Sequence, residues 1–232
     1  MIIDFKSFVK HWTRPPKKQF PSYMVAFTGF QGDGKTLSLV HEAFRIKSEF
    51  PDCHIYSNMK IKGLKYNLLK DTIDLVYALQ DNNGENGILI CLDEAQNWFN
   101  KRGGIPMEIM AEFCQNRKNR RCILMTSQIW NDLDVPLRKQ VKKVVTCRNY
   151  FKKLQVNTVS DGYRLHFDKQ EGEYMAPKLY TMIFKHNDEY YNRFETLEKI
   201  QTNKEYDRTL TMGQGGPPGP VNVQLNYNKK GF

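Results

Sequence analysis

The segment Gly29-Phe30-Gln31-Gly32-Asp33-Gly34-Lys35-Thr36 carries the residue types that hold a phosphate chain. Its three glycines let the backbone come close enough for successive N–H groups to aim at a β-phosphate, and a helix opening at Leu37 turns its N-terminal dipole on the same oxygens. Lys35 then neutralises the β and γ phosphates, while the Thr36 hydroxyl is a ligand for magnesium. The spacing is GxxxxGK[ST] without a mismatch, it follows the apolar run MVAFT, and an amphipathic stretch comes next. Residues 29–37 are therefore expected to bind ATP with Mg2+.

A second constellation stands 58 residues beyond Lys35, where the apolar run Ile88-Leu89-Ile90-Cys91-Leu92 ends in Asp93 and Glu94. A strand that ends so leaves both carboxylates at the carboxyl edge of a parallel sheet, where such sheets place their ligands. Asp93 suits the metal, and Glu94 suits orientation and deprotonation of an attacking water. The adjacent glutamate favours hydrolysis over transfer to a bound metabolite. A third run, Cys122 to Gln128, would end on the same edge and let Gln128 sense the γ-phosphate or its water. Just before it, Arg117-Lys118-Asn119-Arg120-Arg121 offers an arginine able to reach a neighbouring subunit's nucleotide.

These residues need strands to hold them. The runs MVAFT, CHIYSN, GILICLDE, CILMTSQ and VKKVVTC alternate with the amphipathic stretches 36–50, 71–80 and 106–116 and a short helix-like piece at 136–140. Strands alternating with helices imply an α/β fold, a mainly parallel sheet flanked by helices. Beyond Cys147, LQVNTVS and YRLHFDK flank Asp161-Gly162, a dipeptide suited to a tight turn, so an appended β-hairpin is expected at 153–168. The expected division is a basic arm at 1–22, interrupted by Pro15, Pro16 and Pro21, a nucleotide-binding domain at 23–186, and a partly helical, Gly/Pro-containing flexible tail at 187–232.

Composition agrees with a folded domain. Of 232 residues 40% are hydrophobic, enough to bury a core, and Lys plus Arg exceed Asp plus Glu by 35 − 25 = 10. No run approaches the ~18 apolar residues of a membrane-spanning helix, so the expected location is the host cytoplasm or the virion. The five cysteines lack metal-ligand spacing and read as buried, reduced thiols. The positive balance points to an anionic partner.

LDEAQNWFNKR at 92–102 and RKNRRCILMTSQ at 117–128 resemble the FtsK and HerA superfamily of DNA-pumping P-loop ATPases, and within it the Zot-like assembly ATPases of filamentous phages. The resemblance covers roughly Tyr23 to Cys147. It implies a RecA-like sheet, Glu94 as catalytic residue, Arg117 as the arginine acting between subunits, Gln128 as sensor, and a hexamer-like homo-oligomeric ring that moves DNA or extrudes a virion. Zot-like export proteins usually carry a transmembrane helix, which this sequence lacks, whereas the related genome-packaging ATPases of membrane-containing icosahedral viruses do not need one. Packaging of double-stranded DNA, sequence-independently, is accordingly the leading expectation, with Zot-like export at the inner membrane as the alternative. A capsid vertex or a membrane-anchored protein would dock the motor.

The stretch RKQVKKVVTCRNYFKK at 138–153 interleaves cations with Tyr150 and Phe151, which suits a salt-sensitive grip on a phosphate backbone. The same lysines would equally suit an edge strand guarded against aggregation. Two further readings are a small-molecule kinase, which needs an arginine-bearing lid that only RKNRR could supply, and a scaffold switched by nucleotide without turnover.

Overall fold

The computed structural model describes residues 19–99, 104–169 and 173–186. The arm cations Lys6, Lys10, Arg14, Lys17 and Lys18, and the expected tail from residue 187, lie outside the described residues. In chain order the elements are β1 (Met24–Thr28), α1 (Lys35–Glu49), β2 (His54–Ser57), β3 (Asn67–Leu68), α2 (Thr72–Gln80), β4 (Ile88–Leu92), α3 (Met107–Cys114), β5 (Arg121–Ser127), α4 (Val135–Arg138), β6 (Val141–Tyr150), β7 (Leu154–Asp161), β8 (His166–Asp168), β9 (Glu173–Met175) and β10 (Lys178–Lys185). The five runs expected as strands are β1, β2, β4, β5 and β6.

Eight strands form one sheet in the order β10-β7-β6-β1-β5-β4-β2-β3. Pairings from β6 to β3 are parallel, and those of β7 with β6 and β10 are antiparallel. This is the RecA-like P-loop arrangement: β5 lies between the strand that precedes the phosphate loop and the strand that precedes the carboxylates. Every residue of β1, β4 and β5 is buried, because helices cover both faces. Met24, Ala26, Ile90 and Met125 point to one face, against Leu75 and Leu79 of α2 and Ile109 and Phe113 of α3. Val25, Phe27, Leu89 and Leu124 point to the other, against Leu39, Val40 and Ile46 of α1. Each of these larger apolar side chains contributes about 1.5–3 kcal/mol on burial, so the sheet centre is firmly held.

The arm's described end is strapped to this core. Phe20 is buried and meets Phe50 edge-on at 5.1 Å. A Cβ at Gly87 would stand 2.2 Å from the Phe20 ring.

Three expectations are corrected. The hairpin does not turn at Asp161-Gly162: β7 pairs back along β6 through Phe151-Lys152, both at positive φ (56° and 53°), with Lys153 N–H donating to Tyr150 O at 3.1 Å. Paired positive φ values match the strand twist, but Phe-Lys lacks the glycine or asparagine that would announce the turn. Asp161 instead accepts from Tyr163 N–H at 3.0 Å, Gly162 presses on Val141 O, and β8 leaves the main sheet to pair with β9. Second, β6 is interior rather than an edge strand, since β1 and β7 pair on its two sides. Third, Cys114 at the end of α3 is exposed, while Cys53, Cys91, Cys122 and Cys147 are buried free thiols.

Candidate functional site

The carboxyl ends of β1, β2, β4 and β5 converge on Asp93. Thr36, in the first turn of α1, donates from Oγ1 to Asp93 Oδ1 at 2.9 Å. Thr126, near the end of β5, donates to the same oxygen at 2.7 Å and accepts from Glu94 N–H at 2.8 Å. Asn58, just past β2, holds the Asp93 backbone from both sides, accepting from its N–H at 2.7 Å and donating to its carbonyl at 2.9 Å. The phosphate loop and the acidic pair therefore share one crevice.

Glu94 stands in the left-handed region at φ 50°, a conformation that costs of order 1–3 kcal/mol for a non-glycine residue and clusters at functional sites. Its Oε2 accepts from Gln96 Nε2. Burial pushes the Asp93 carboxyl above its ordinary range, against the pull of the Thr126 and Thr36 hydroxyls and the Lys35 charge, and the neighbouring Glu94 carboxylate adds to the push.

In the loop, Gly29, Gly32 and Gly34 all adopt positive φ (149°, 88° and 77°), and a Cβ at Gly29 would stand 2.9 Å from Cys147 O. Phe30 N–H donates to Asp33 Oδ2 at 2.8 Å. Phe30 and Gln31 are exposed. Lys35 is buried and donates to Phe30 O at 3.1 Å. Leu37 has a buried side chain, so any contact with a nucleotide would come from its amide. The Thr36 hydroxyl and Asp93 carboxylate are hard oxygen donors on adjoining elements, a set that suits magnesium, which takes few protein ligands and completes its shell with water and phosphate.

The remaining sequence candidates divide by edge. Gln128 follows β5 on the crevice edge and is exposed. Arg117 precedes β5, at the opposite edge, beside a cavity of about 670 Å3 lined by Phe20, Tyr23, Glu85, Arg120 and Lys142. Of its neighbours in the basic cluster, Arg121 is fully buried and donates to Glu112 Oε2 at 2.8 Å and to Leu79 O, and Arg120 pairs with Glu85 at 3.5 Å. In the stretch 138–153, Arg138 is tied to Asn131 at 2.8 Å and Lys143 lies 4.7 Å above the Tyr23 ring, leaving Lys139, Lys142, Arg148, Lys152 and Lys153 exposed.

Asn58 and Thr126 escaped the sequence reading. Each is a polar residue at or next to the carboxyl end of an apolar strand, the signal already used for Gln128. Ser127 itself turns away and donates to Ile129 O at 3.0 Å.

The N-terminal domain of zonular occludens toxin from Neisseria meningitidis is similar in fold, with 21% identity over 75% of this chain and 99% of that one and a TM-score of 0.52. The DNA-packaging ATPase B204 of Sulfolobus turreted icosahedral virus aligns at 12% identity over 72% of this chain and 98% of that one, TM-score 0.48. The genome packaging NTPase B204 of Sulfolobus turreted icosahedral virus 2, in complex with ATP-gammaS, aligns at 14% identity over 54% and 75%, TM-score 0.46. No curated protein matches the sequence. The family model described as Zonular occludens toxin (Zot) matches residues 23–188, a span that holds the whole sheet and its crevice, and this chain belongs to the Zot family.

Proposed function

We propose that this chain hydrolyses ATP and, as a ring of identical subunits, moves DNA in virion assembly. The observation that carries the reading is the 2.9 Å contact between Thr36 and Asp93, which joins the anion-binding loop to the acidic pair. Lys35 and the loop amides bind the β and γ phosphates. Thr36 and Asp93 would hold magnesium, which when bound offsets charge on those oxygens. Glu94 orients a water and takes its proton as the water oxygen bonds to the γ-phosphorus and the bond to ADP breaks. Gln128 senses the γ-phosphate, and Arg117 serves the nucleotide of a neighbouring subunit.

Membership of the Zot family favours virion export over icosahedral genome packaging, the reverse of the order expected from the sequence. The exposed cations Lys142, Arg148, Lys152 and Lys153 suit a sequence-independent phosphate grip in either case.

Turnover measured with and without duplex and single-stranded DNA, across protein concentration, tests the reading. Stimulation by DNA above a concentration threshold, abolished in Lys35→Ala, is the expected result. Turnover that survives Lys35→Ala, or that is absent under every condition, would sink it. Flotation with anionic liposomes separates the two settings: co-flotation supports export, and indifference to lipid with duplex stimulation supports packaging.

A further inference from the structure

Amide side chains of the antiparallel extension grip the phosphate loop from outside the crevice. Asn149 Nδ2 donates to Gly32 O at 3.3 Å and Gln155 Nε2 donates to Asp33 O at 2.8 Å. Asn149 on β6 and Gln155 on β7 are cross-strand partners, so one rung of the hairpin holds two successive loop carbonyls. Gln155 is fully buried. Its amide nitrogen also donates to Asn157 Oδ1 at 2.9 Å, and Ser38 Oγ of α1 lies 3.2 Å from that same oxygen. Because a carbonyl only accepts, the nitrogen of Gln155 must face Asp33, its Oε1 must accept, and the His186 ring 3.1 Å away must donate.

The grip has a direction. A trans peptide sends its C=O and N–H opposite ways, so a hold on the Asp33 carbonyl from the β7 side turns the Gly34 N–H away from β7. Asn149 acts alike one peptide earlier, on the unit that carries the Asp33 N–H. Gly34 lies so close that a Cβ there would stand 2.1 Å from Gln155 Oε1. Register makes the contact: a slip of one residue along β7 would send Gln155 to the other face of the sheet, and the positive-φ turn at Phe151-Lys152 fixes that register.

We propose that Gln155 is a positioning residue of the phosphate site, setting the direction of the Gly34 N–H through the Asp33 carbonyl, with Asn149 as its partner and His186 as its outer support. The inference rests on the triphosphate reading given above. His186 N–H donates to Lys153 O at 2.8 Å, just past β10, so the seating of β10 on the hairpin is mechanically linked to the loop.

The test uses the full chain, a fluorescent ATP analogue with magnesium, steady-state turnover, and melting without nucleotide. Gln155→Leu keeps bulk but removes the donor. It is expected to raise Kd and KM about tenfold or more while kcat moves less, since a misaimed donor weakens phosphate binding first. Val159→Ala, a buried packing change on the same strand, is expected to lower Tm and leave Kd alone. A Gln155→Leu Kd within about twofold of the parent, or an equal rise in Val159→Ala, overturns the inference. Should Gln155→Leu fail to fold, His186→Ala is read the same way: a raised Kd with Tm retained supports the linkage, and an unchanged Kd overturns it. Binding that is lost in Lys35→Ala yet intact in Gln155→Leu removes this inference alone, whereas a parent chain that binds no nucleotide removes the triphosphate reading with it.

Discussion

Thr126 and Asp93 are joined by a 2.7 Å hydrogen bond across the boundary between two neighbouring strands. The same hydroxyl accepts from the Glu94 amide, so one side chain on β5 sets both the carboxylate proposed for the metal and the backbone that carries the proposed base. This follows from strand order. With β5 between β1 and β4, its carboxyl end is the wall between phosphate loop and acidic pair, and a short hydroxyl there reaches both.

Thr126→Val keeps the shape of the strand and removes that hydroxyl. Two partners are lost and the Glu94 N–H is left without its acceptor, a loss of about 1–3 kcal/mol. Turnover is expected to fall about tenfold or more while ATP affinity changes little, and Thr126→Ser is expected to restore turnover. Steady-state kinetics with a melting curve distinguishes this from simple unfolding. Equal turnover in the valine variant would remove Thr126 from the site.

Glu94→Gln preserves size and the backbone bond to Thr126 but cannot take a proton from water. The expected result is unchanged nucleotide affinity with kcat lowered by ~10² or more. A variant that hydrolyses at the parent rate would assign the proton to another group.

Asp93 gives a pH signature. Burial raises its carboxyl above the ordinary 3.8, so the folded chain holds that proton more tightly than the unfolded one. The stability contributed by the neutral form is complete below 3.8 and is lost as pH rises through the folded-state value. Above that value the charged, desolvated group is then a fixed cost in nucleotide-free protein. Asp93→Asn, whose amide oxygen still accepts from Thr36 and Thr126, is expected to melt higher than the parent at neutral pH, with the gap narrowing as pH approaches 3.8. Mg·ATP is expected to raise the parent's Tm and to raise the variant's much less. An asparagine variant that melts lower at neutral pH would show that the carboxylate is not held at a cost.

The phosphate loop, the acidic pair and the five core strands were legible because each is written locally: glycine spacing, an apolar run, a polar end. The Thr126 and Asn58 contacts were not, since they depend on which strands become neighbours, and sequence order does not state that β5 falls between β1 and β4. Gln155 was hidden twice. Its contact requires the hairpin to turn at Phe151-Lys152, where the residue types give no sign of positive φ, whereas Asp161-Gly162 advertises a turn that tertiary packing of Gly162 on β6 overrides.

Arg117 precedes β5 and the nucleotide crevice follows it, so the seven residues of that strand put ~20 Å between Arg117 and its own subunit's site. An arginine so placed cannot act in its own subunit's crevice, so the role proposed for it is on a neighbour's nucleotide, and Arg120 and Arg121 are already engaged by Glu85 and Glu112. Lys35→Ala subunits retain the arginine and lose the cradle, and Arg117→Ala subunits do the reverse. Each alone is expected to be nearly inactive. When equal amounts are mixed and allowed to exchange, an active site needs an intact cradle beside an intact arginine, which random assembly provides at about a quarter of interfaces. Activity recovered to about that fraction, with exchange verified by energy transfer between labelled subunits, supports sharing of the site. Mixed assemblies that exchange and stay inactive would exclude Arg117 from the neighbour's nucleotide, because the two defects would then lie in the same functional unit.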